Sequence, residues 1–425
     1  MPGHAAQVIT VGPPGIDDAA GRVVTLAIQT EGLPVAARQV VDDDEGRLEP
    51  LLAVAMAGSG LVAILDAPGG SGGEIIRRVL ARLAGLRLVL SDRMLALLEE
   101  DCARRGRAMP RRFDRLGLLP QGAALWPAPD GPPAFALETS GTTVVVLPLH
   151  AASLRAIVDE HLRPLVRRRI GSDVTMLRTL RTAGVSAADA EERLGGWLGR
   201  RGPVAASTVL SDGDVWVRLA VRGISARLAE RDLESAERAI REVLGDDCYG
   251  RDAETLESVC GRLLLERRLT VSIAESCTGG LVAHRLTGVA GASRFFDRGV
   301  IAYSNRALEQ SLGVPAALIA DHGAVSRAVA EAMAVAIARV GGSACGLAVT
   351  GLAGPDGGTA AKPVGTVFVA CAVSAGSGPT AVDVRHHRLA GDRAAVTGQA
   401  AQAALDLLRR TLGARAPDSP AGTGA

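Results

Sequence analysis

Short apolar runs that break into turns and then into helical spacing restrict the fold of this chain more than any other feature. Near the N-terminus "LVAIL" (61–65) leaves through the Gly-rich "DAPGGSGGE" into "EIIRRVLARLAGL". There Ile76, Val79, Leu80 and Leu83 recur at the spacing of one helix face. "QVITVG" and "TTVVVLPLH" are further buried-strand runs in the same stretch. Strand, turn and helix in succession imply a mostly parallel sheet with helices on its faces. Sheets of that kind take ligands at the carboxyl ends of their strands. The fold class is α/β.

The pattern divides the chain. Residues 1–165 form a first α/β domain, and the arginine run "RPLVRRRIG" reads as its exit. Residues 166–247 have a different texture and read as a small α+β connector. Its "STVLSDGDVWVRLAVRG" carries an Asp-Gly turn and strict alternation of Val215, Val217, Leu219 and Val221, the mark of a hairpin. From 248 to 415 the α/β alternation returns. "LTVSIAES", "RGVIAYSN", "CGLAVTG", "GTVFVACAV" and "AVDVRHHRL" read as strands there, and Asp252 stands where it could cap the first helix. The tail 416–425 is too polar and small-residue-rich to pack.

Charge and cysteines narrow the function classes. Net charge is +1, so nothing global favours nucleic acid or an anionic membrane. Gly196-Trp197-Leu198-Gly199 has the outline of an RNA-binding GxxG loop, but it reads better as a helix-end turn. Six cysteines never form a CxxC pair and seven histidines include no HExxH, so neither a disulfide framework nor a metal centre is expected. There is no signal-peptide pattern at the start and no apolar stretch long enough to span a bilayer, and the expectation is a soluble cytoplasmic protein. Aromatics are only 2% of the chain, so the cores must be packed from Ala, Val and Leu. Lys362 is the only lysine among 47 Lys+Arg, and an ammonium can shift its pKa in a way a guanidinium cannot.

The chemistry concentrates in the last domain. "AESCTGGLVAHRL" sets Ser276, Cys277 and Thr278 on a strand-to-helix turn before Gly279 and Gly280. A nucleophile there is rigidly held, and a helix N-terminus offers backbone N–H groups to a developing oxyanion. Three attacking side chains in a row leave the nucleophile open on these grounds alone. "VTGLAGPDGG" then leaves another strand with Thr350, Gly351, Gly354 and Asp356, and "AKPVGTV" brings Lys362 into the next.

Taken in order, "AESCTGG", "YSN", "HGAVS", "TGLAGPDGG", "KPVGTV" and "GDR" resemble the C-terminal domain of the CinA family, the nicotinamide-nucleotide amidohydrolase, over roughly residues 250–413. The resemblance implies hydrolysis of the carboxamide of nicotinamide mononucleotide to nicotinate mononucleotide and ammonia, without a cofactor, in pyridine-nucleotide salvage, by a dimer. It makes Ser276 the nucleophile and places Tyr303, Thr350 and Arg393 on site positions, with Arg393 suited to a phosphate. Backbone at Thr278 and Gly279 would form the oxyanion hole, beside Gly280, Gly351, Gly354 and Asp356. One departure matters. The family carries a presumed general-base lysine five residues after the tyrosine, and this chain has Leu308 there. Arg306 stays protonated, which leaves Lys362 as the one ammonium able to replace it. The alternatives are that Lys362 pairs with Asp356 to shape the loop, and that the protein is a non-catalytic nucleotide-binding or scaffolding relative.

"VITVG", "VVDDDEGRL", "LLPQGAALWPAPDG" and "VVVLPLH" resemble, more faintly, the family's molybdopterin-binding-like domain, and the connector its KH-like segment. In relatives the first domain can act as a metal-dependent ADP-ribose pyrophosphatase. Its two acidic motifs are replaced here by Gly12-Pro13-Pro14-Gly15 and by "DAPGGSGGE". That activity is expected to be lost, with Asp42, Asp43 and Asp44 a solvated turn and Asp17, Asp18 and Glu74 a weak candidate for a shifted site.

Overall fold

A computed structural model describes residues 5–13, 15–16, 18–66, 71–110, 115–170, 174–200, 202–211, 214–223, 225–374 and 380–414. The chain forms two compact bodies, one of Met1–Leu177, Arg201–Val204 and Ala220–Ser235, the other of Arg178–Arg200, Ala205–Leu219 and Ala236–Ala425. It is an α/β protein, as its alternation of runs predicts.

In the first body the strands are β1 (Ala6–Val11), β2 (Val35–Val41), β3 (Leu61–Asp66), β4 (Leu88–Leu90), β5 (Leu118–Pro120), β6 (Ala124–Trp126), β7 (Ala134–Glu138) and β8 (Thr143–Pro148). The main sheet has the order β2-β1-β3-β8-β7-β6, and β4 pairs with β5 separately. β2, β1, β3 and β8 run parallel, while β7 pairs antiparallel with β8 and β6 antiparallel with β7. Alternate residues of one strand serve two cores. Leu61, Ala63 and Leu65 join the apolar layer that holds helix Ala19–Thr30, and Val62 and Ile64 join the layer of helices Glu45–Gly58 and Ser71–Leu83. The arginine run forms helix Arg163–Ile170 and is fastened to this body. Arg163 donates to Glu31 at 2.9 Å, and Arg169 to the Gly60 carbonyl at 2.7 Å.

The connector sheet comprises β9 (Val174–Thr182), β10 (Val204–Ser211), β11 (Asp214–Gly223) and β12 (Cys248–Arg251), ordered β10-β11-β9-β12. Val215, Val217, Leu219 and Val221 are all buried, as their alternation requires. The expected Asp-Gly turn lies outside the described residues. Trp197 donates its N–H to Leu194 O after helix Ala187–Arg193, so "GGWLG" begins as the turn that ends a helix. The Arg200 guanidinium sits 5.6 Å from the Trp197 ring centre.

The C-terminal sheet contains β13 (Val271–Glu275), β14 (Phe296–Ile301), β15 (Cys345–Gly351), β16 (Thr366–Val373) and β17 (Ala381–Arg388), ordered β14-β13-β15-β16-β17. β14, β13 and β15 are parallel, and β15, β16 and β17 antiparallel. Helices Leu256–Glu266, Leu281–Thr287 and Arg393–Gly413 share one apolar layer with the sheet. Helices Asn305–Leu312, Ala316–His322 and Arg327–Gly341 share another. Asp252 does not cap the first of these helices. Its carboxylate accepts the Thr179 N–H at 2.9 Å, and Thr255 with Ser258 forms a reciprocal capping box instead. Among the described residues no helix is long and apolar enough to cross a membrane.

Candidate active site

Strand register brings the predicted segments to one end of the C-terminal sheet. Glu275 lies opposite both Val349 and Ile301, Gly351 opposite Val367, and Thr366 opposite Arg388. The carboxyl ends of β13, β14 and β15 therefore meet the start of β16 and the exit of β17. Thr350 lies in the last residues of β15, and Ser276, Tyr303, Lys362 and Arg393 follow or precede those ends within a few residues.

The turn after β13 is fixed by hydrogen bonds on both sides of Ser276. Its N–H donates to Val349 O at 3.0 Å, and its carbonyl accepts the Gly279 N–H at 3.1 Å. Gly280, at φ 102, turns the chain into helix Leu281–Thr287. The helix amides are not free, contrary to the expectation from sequence. The Glu275 carboxylate, 1% exposed, accepts the N–H groups of Gly280 at 2.9 Å, Val282 at 3.2 Å and Ala283 at 2.8 Å. Glycine at the cap has no side chain, and Glu275 reaches forward to do what a capping Ser or Asp would do.

Burial separates the three attacking side chains. Cys277 is 7% exposed, and burial pushes its thiol up to about 12; nearby Glu275 raises it too, against a smaller lowering by Arg393. Little thiolate exists at neutral pH, so this sulfur is a poor nucleophile. Thr278 is 4% exposed, and its hydroxyl has no partner among the described residues. Ser276 is only half-buried, and its Oγ makes no hydrogen bond among the described residues.

Arg393 opens the last helix beside Asp392, whose carboxylate caps it through the Ala395 N–H at 2.8 Å. Its guanidinium donates to Gly354 O at 2.6 Å and to the Tyr303 hydroxyl, so one cation ties three predicted segments together. Tyr303 itself is 58% exposed, its ring presented to solvent. Thr350 is buried, and its Oγ1 donates to Ala324 O at 2.9 Å. Lys362 Nζ donates at 2.8 Å to His322 O, the carbonyl two residues before Ala324. Lys362 forms no ion pair with the exposed Asp356 among the described residues. Gly351 is required by packing, because a Cβ there would stand 2.7 Å from Val367 and 3.0 Å from Cys277 Sγ. Leu308 is 2% exposed and shares an apolar layer with Ala274, Ala302 and Ala348, beneath the strand ends. Arg306 points away to Gln310 at 3.1 Å.

Two features escape sequence reasoning. Glu275 had a signal, an acid closing an otherwise apolar strand directly before the turn. The His322 and Ala324 carbonyls had none, since any residue type supplies a carbonyl.

The first body spends its candidate carboxylates on other partners. Asp18 accepts from Thr10 at 2.6 Å and pairs with Arg38 at 2.9 Å. Glu74 meets Arg115 at 3.4 Å, Asp42 pairs with Arg47 at 2.9 Å, and Asp44 caps a helix. Asp17 lies outside the described residues. Arg77 is buried 5.4 Å from the Phe135 ring centre, and burial pushes its guanidinium down to about 10, against the opposing influence of Asp66. Among the described residues no group of three His, Cys, Asp or Glu side chains gathers to hold a metal.

Two family models match the chain: the CinA C-terminal domain over residues 253–412 and the damage-inducible protein CinA KH domain over residues 177–250. A CinA-like protein of Geobacter sulfurreducens is 38% identical over 399 residues, covering 93% of this chain and 95% of the relative. A CinA-like protein of Gloeobacter violaceus is 36% identical over 385 residues, covering 90% of this chain and 89% of the relative. Among solved structures, the competence/damage inducible protein CihA of Agrobacterium tumefaciens is 37% identical, covers 37% of this chain and 95% of its own, and has a TM-score of 0.35. Similarity sustained over nearly the whole length shows that the chain belongs to the CinA family.

Proposed function

We propose that the C-terminal site hydrolyses the carboxamide of nicotinamide mononucleotide through a Ser276 acyl-enzyme. The observation that carries this reading is a half-buried serine whose hydroxyl has no hydrogen-bond partner among the described residues, on a turn pinned at both ends. The Arg393–Tyr303 pair lies at the same sheet end. Ser276 Oγ attacks the amide carbon as its proton passes to a base. The C–N bond breaks, and ammonia leaves with that proton. Water then cleaves the ester, giving nicotinate mononucleotide and restoring the serine. Arg393 keeps N–H donors beyond the two bound to Tyr303 and Gly354, and these suit the substrate phosphate. Lys362 is assigned the base. An ammonium, unlike a guanidinium, is a group that can give up its proton and serve as a base.

One observation favours a second reading, ligand binding without turnover. Leu308 fills the family's lysine position with a side chain sealed in the apolar layer. Trapping with hydroxylamine separates the two. An acyl-enzyme gives the hydroxamate of nicotinate mononucleotide from the wild type and none from Ser276→Ala. Retained binding of nicotinamide mononucleotide with neither hydroxamate nor ammonia supports the second reading and rejects the first.

A further inference from the structure

We propose that Glu275 is the positioning residue of the Ser276 turn, and that its buried charge holds back ionisation of whatever nucleophile stands at position 276. The carboxylate is almost wholly buried and spends both oxygens on three consecutive-turn amides, those of Gly280, Val282 and Ala283. Gly279 is bonded back to the Ser276 carbonyl in the same turn. The chain between residues 275 and 283 is thus closed on itself through one side chain, and Ser276 is the residue directly after it. Hydrogen bonds to an ionised acceptor are about twice as strong as neutral ones, so the closure is firm.

The electrostatic consequence follows from position. A short helix that begins beside a nucleophile would stabilise its anion through free amides. Here those amides already face a full negative charge, and the charge itself lies one residue from Ser276. The ionisable groups that bear on the turn are Glu275 on β13, Cys277 within it, and Arg393 on the last helix; Arg393 is itself bound to Tyr303, while Lys362 is engaged at His322. On the neighbouring Cys277, Glu275 and Arg393 act in opposite directions, the lowering by Arg393 being the smaller. Attack by Ser276 therefore depends on proton transfer to a base during the reaction, not on a lowered hydroxyl pKa.

The inference rests on the amidase reading only for its consequence in turnover, and its test needs no turnover. The probe is a thiol placed at the nucleophile by Ser276→Cys, in a Cys102→Ser chain because Cys102 is the half-buried cysteine that would add background. Iodoacetamide alkylation against pH reads the ionisation of the new thiol. The expected midpoint lies above the ordinary cysteine value of about 8.5, and Glu275→Gln moves it down by about one pH unit or more. A midpoint below about 8 with Glu275 present overturns the proposal. So does an unchanged midpoint in a Glu275→Gln protein whose circular dichroism remains native. Should Glu275→Gln fail to fold, the midpoint of the Ser276→Cys protein alone decides. Alkylation that follows this pattern in a protein without ammonia release leaves the inference standing and removes only the amidase reading.

Discussion

At positions 276–278 a serine, a cysteine and a threonine stand in a row, and exposure sorts them where residue type does not. Cys277 and Thr278 turn into the protein, while Ser276 keeps access to the outside. Lys362 and Leu308 form the other decisive pair. Lys362→Arg retains a cation able to donate to the His322 carbonyl but removes the amine to which the base is assigned. It is expected to lower ammonia release by about 100-fold or more, in keeping with the loss of a general base. Full retention of rate would make Lys362 a tether only. Leu308→Lys puts an ammonium into an apolar layer, so it should lower the melting temperature without raising the rate. A tenfold gain would show that the natural chain lacks its base. The segments holding these residues were legible because each carries unusual residue types. Glu275's role was not, because a cap formed by a residue preceding the turn depends on the backbone path between them.

Among the elements, the strands and helices of the last domain follow apolar spacing closely, since Val, Ile, Leu and Ala at regular intervals leave few alternatives. Caps are less legible. Asp252 and Thr255 are both capping residue types, and only the backbone shows that Asp252, at φ 53, belongs to a turn bonded to β9. Ion pairs between distant elements are also silent in sequence. Asp247 receives Arg193 at 2.6 Å and Arg410 at 2.7 Å, and Arg410 also holds Asp406 at 2.7 Å. Burial pushes the Asp247 carboxyl up, but hydrogen bonds from Arg193 and Arg410 outweigh it and leave the group below its usual 3.8. A carboxyl lowered on folding stabilises the folded chain above its unfolded value. That contribution is lost as pH falls through the folded value. Asp247→Asn should therefore cost about 1 kcal/mol or less at pH 7 after screening by solvent, a shift of a few degrees at most. The gap between variant and wild type should close below about pH 4 in thermal melts taken across pH. A gap independent of pH would place the effect in packing.

Across the whole molecule, chemistry is unevenly distributed. The first body has a mixed, mostly parallel sheet with buried central strands but pairs Asp18 and Glu74 with arginines, and it buries Arg77 near Asp66. The second collects a half-buried serine, a clamped arginine and the single lysine at the ends of neighbouring strands. That the first body lacks the acidic motifs its resemblance leads one to expect was legible directly, since a missing carboxylate needs no structure to notice. Where the remaining carboxylates went was not, because their partners lie on other elements. The most direct test of the central claim is ammonia release from nicotinamide mononucleotide by the purified full chain beside Ser276→Ala. The account predicts ammonia and nicotinate mononucleotide in equal amounts from the wild type, and a fall of at least about 1,000-fold in the variant. Equal release from both proteins, or none from the folded wild type, would contradict it.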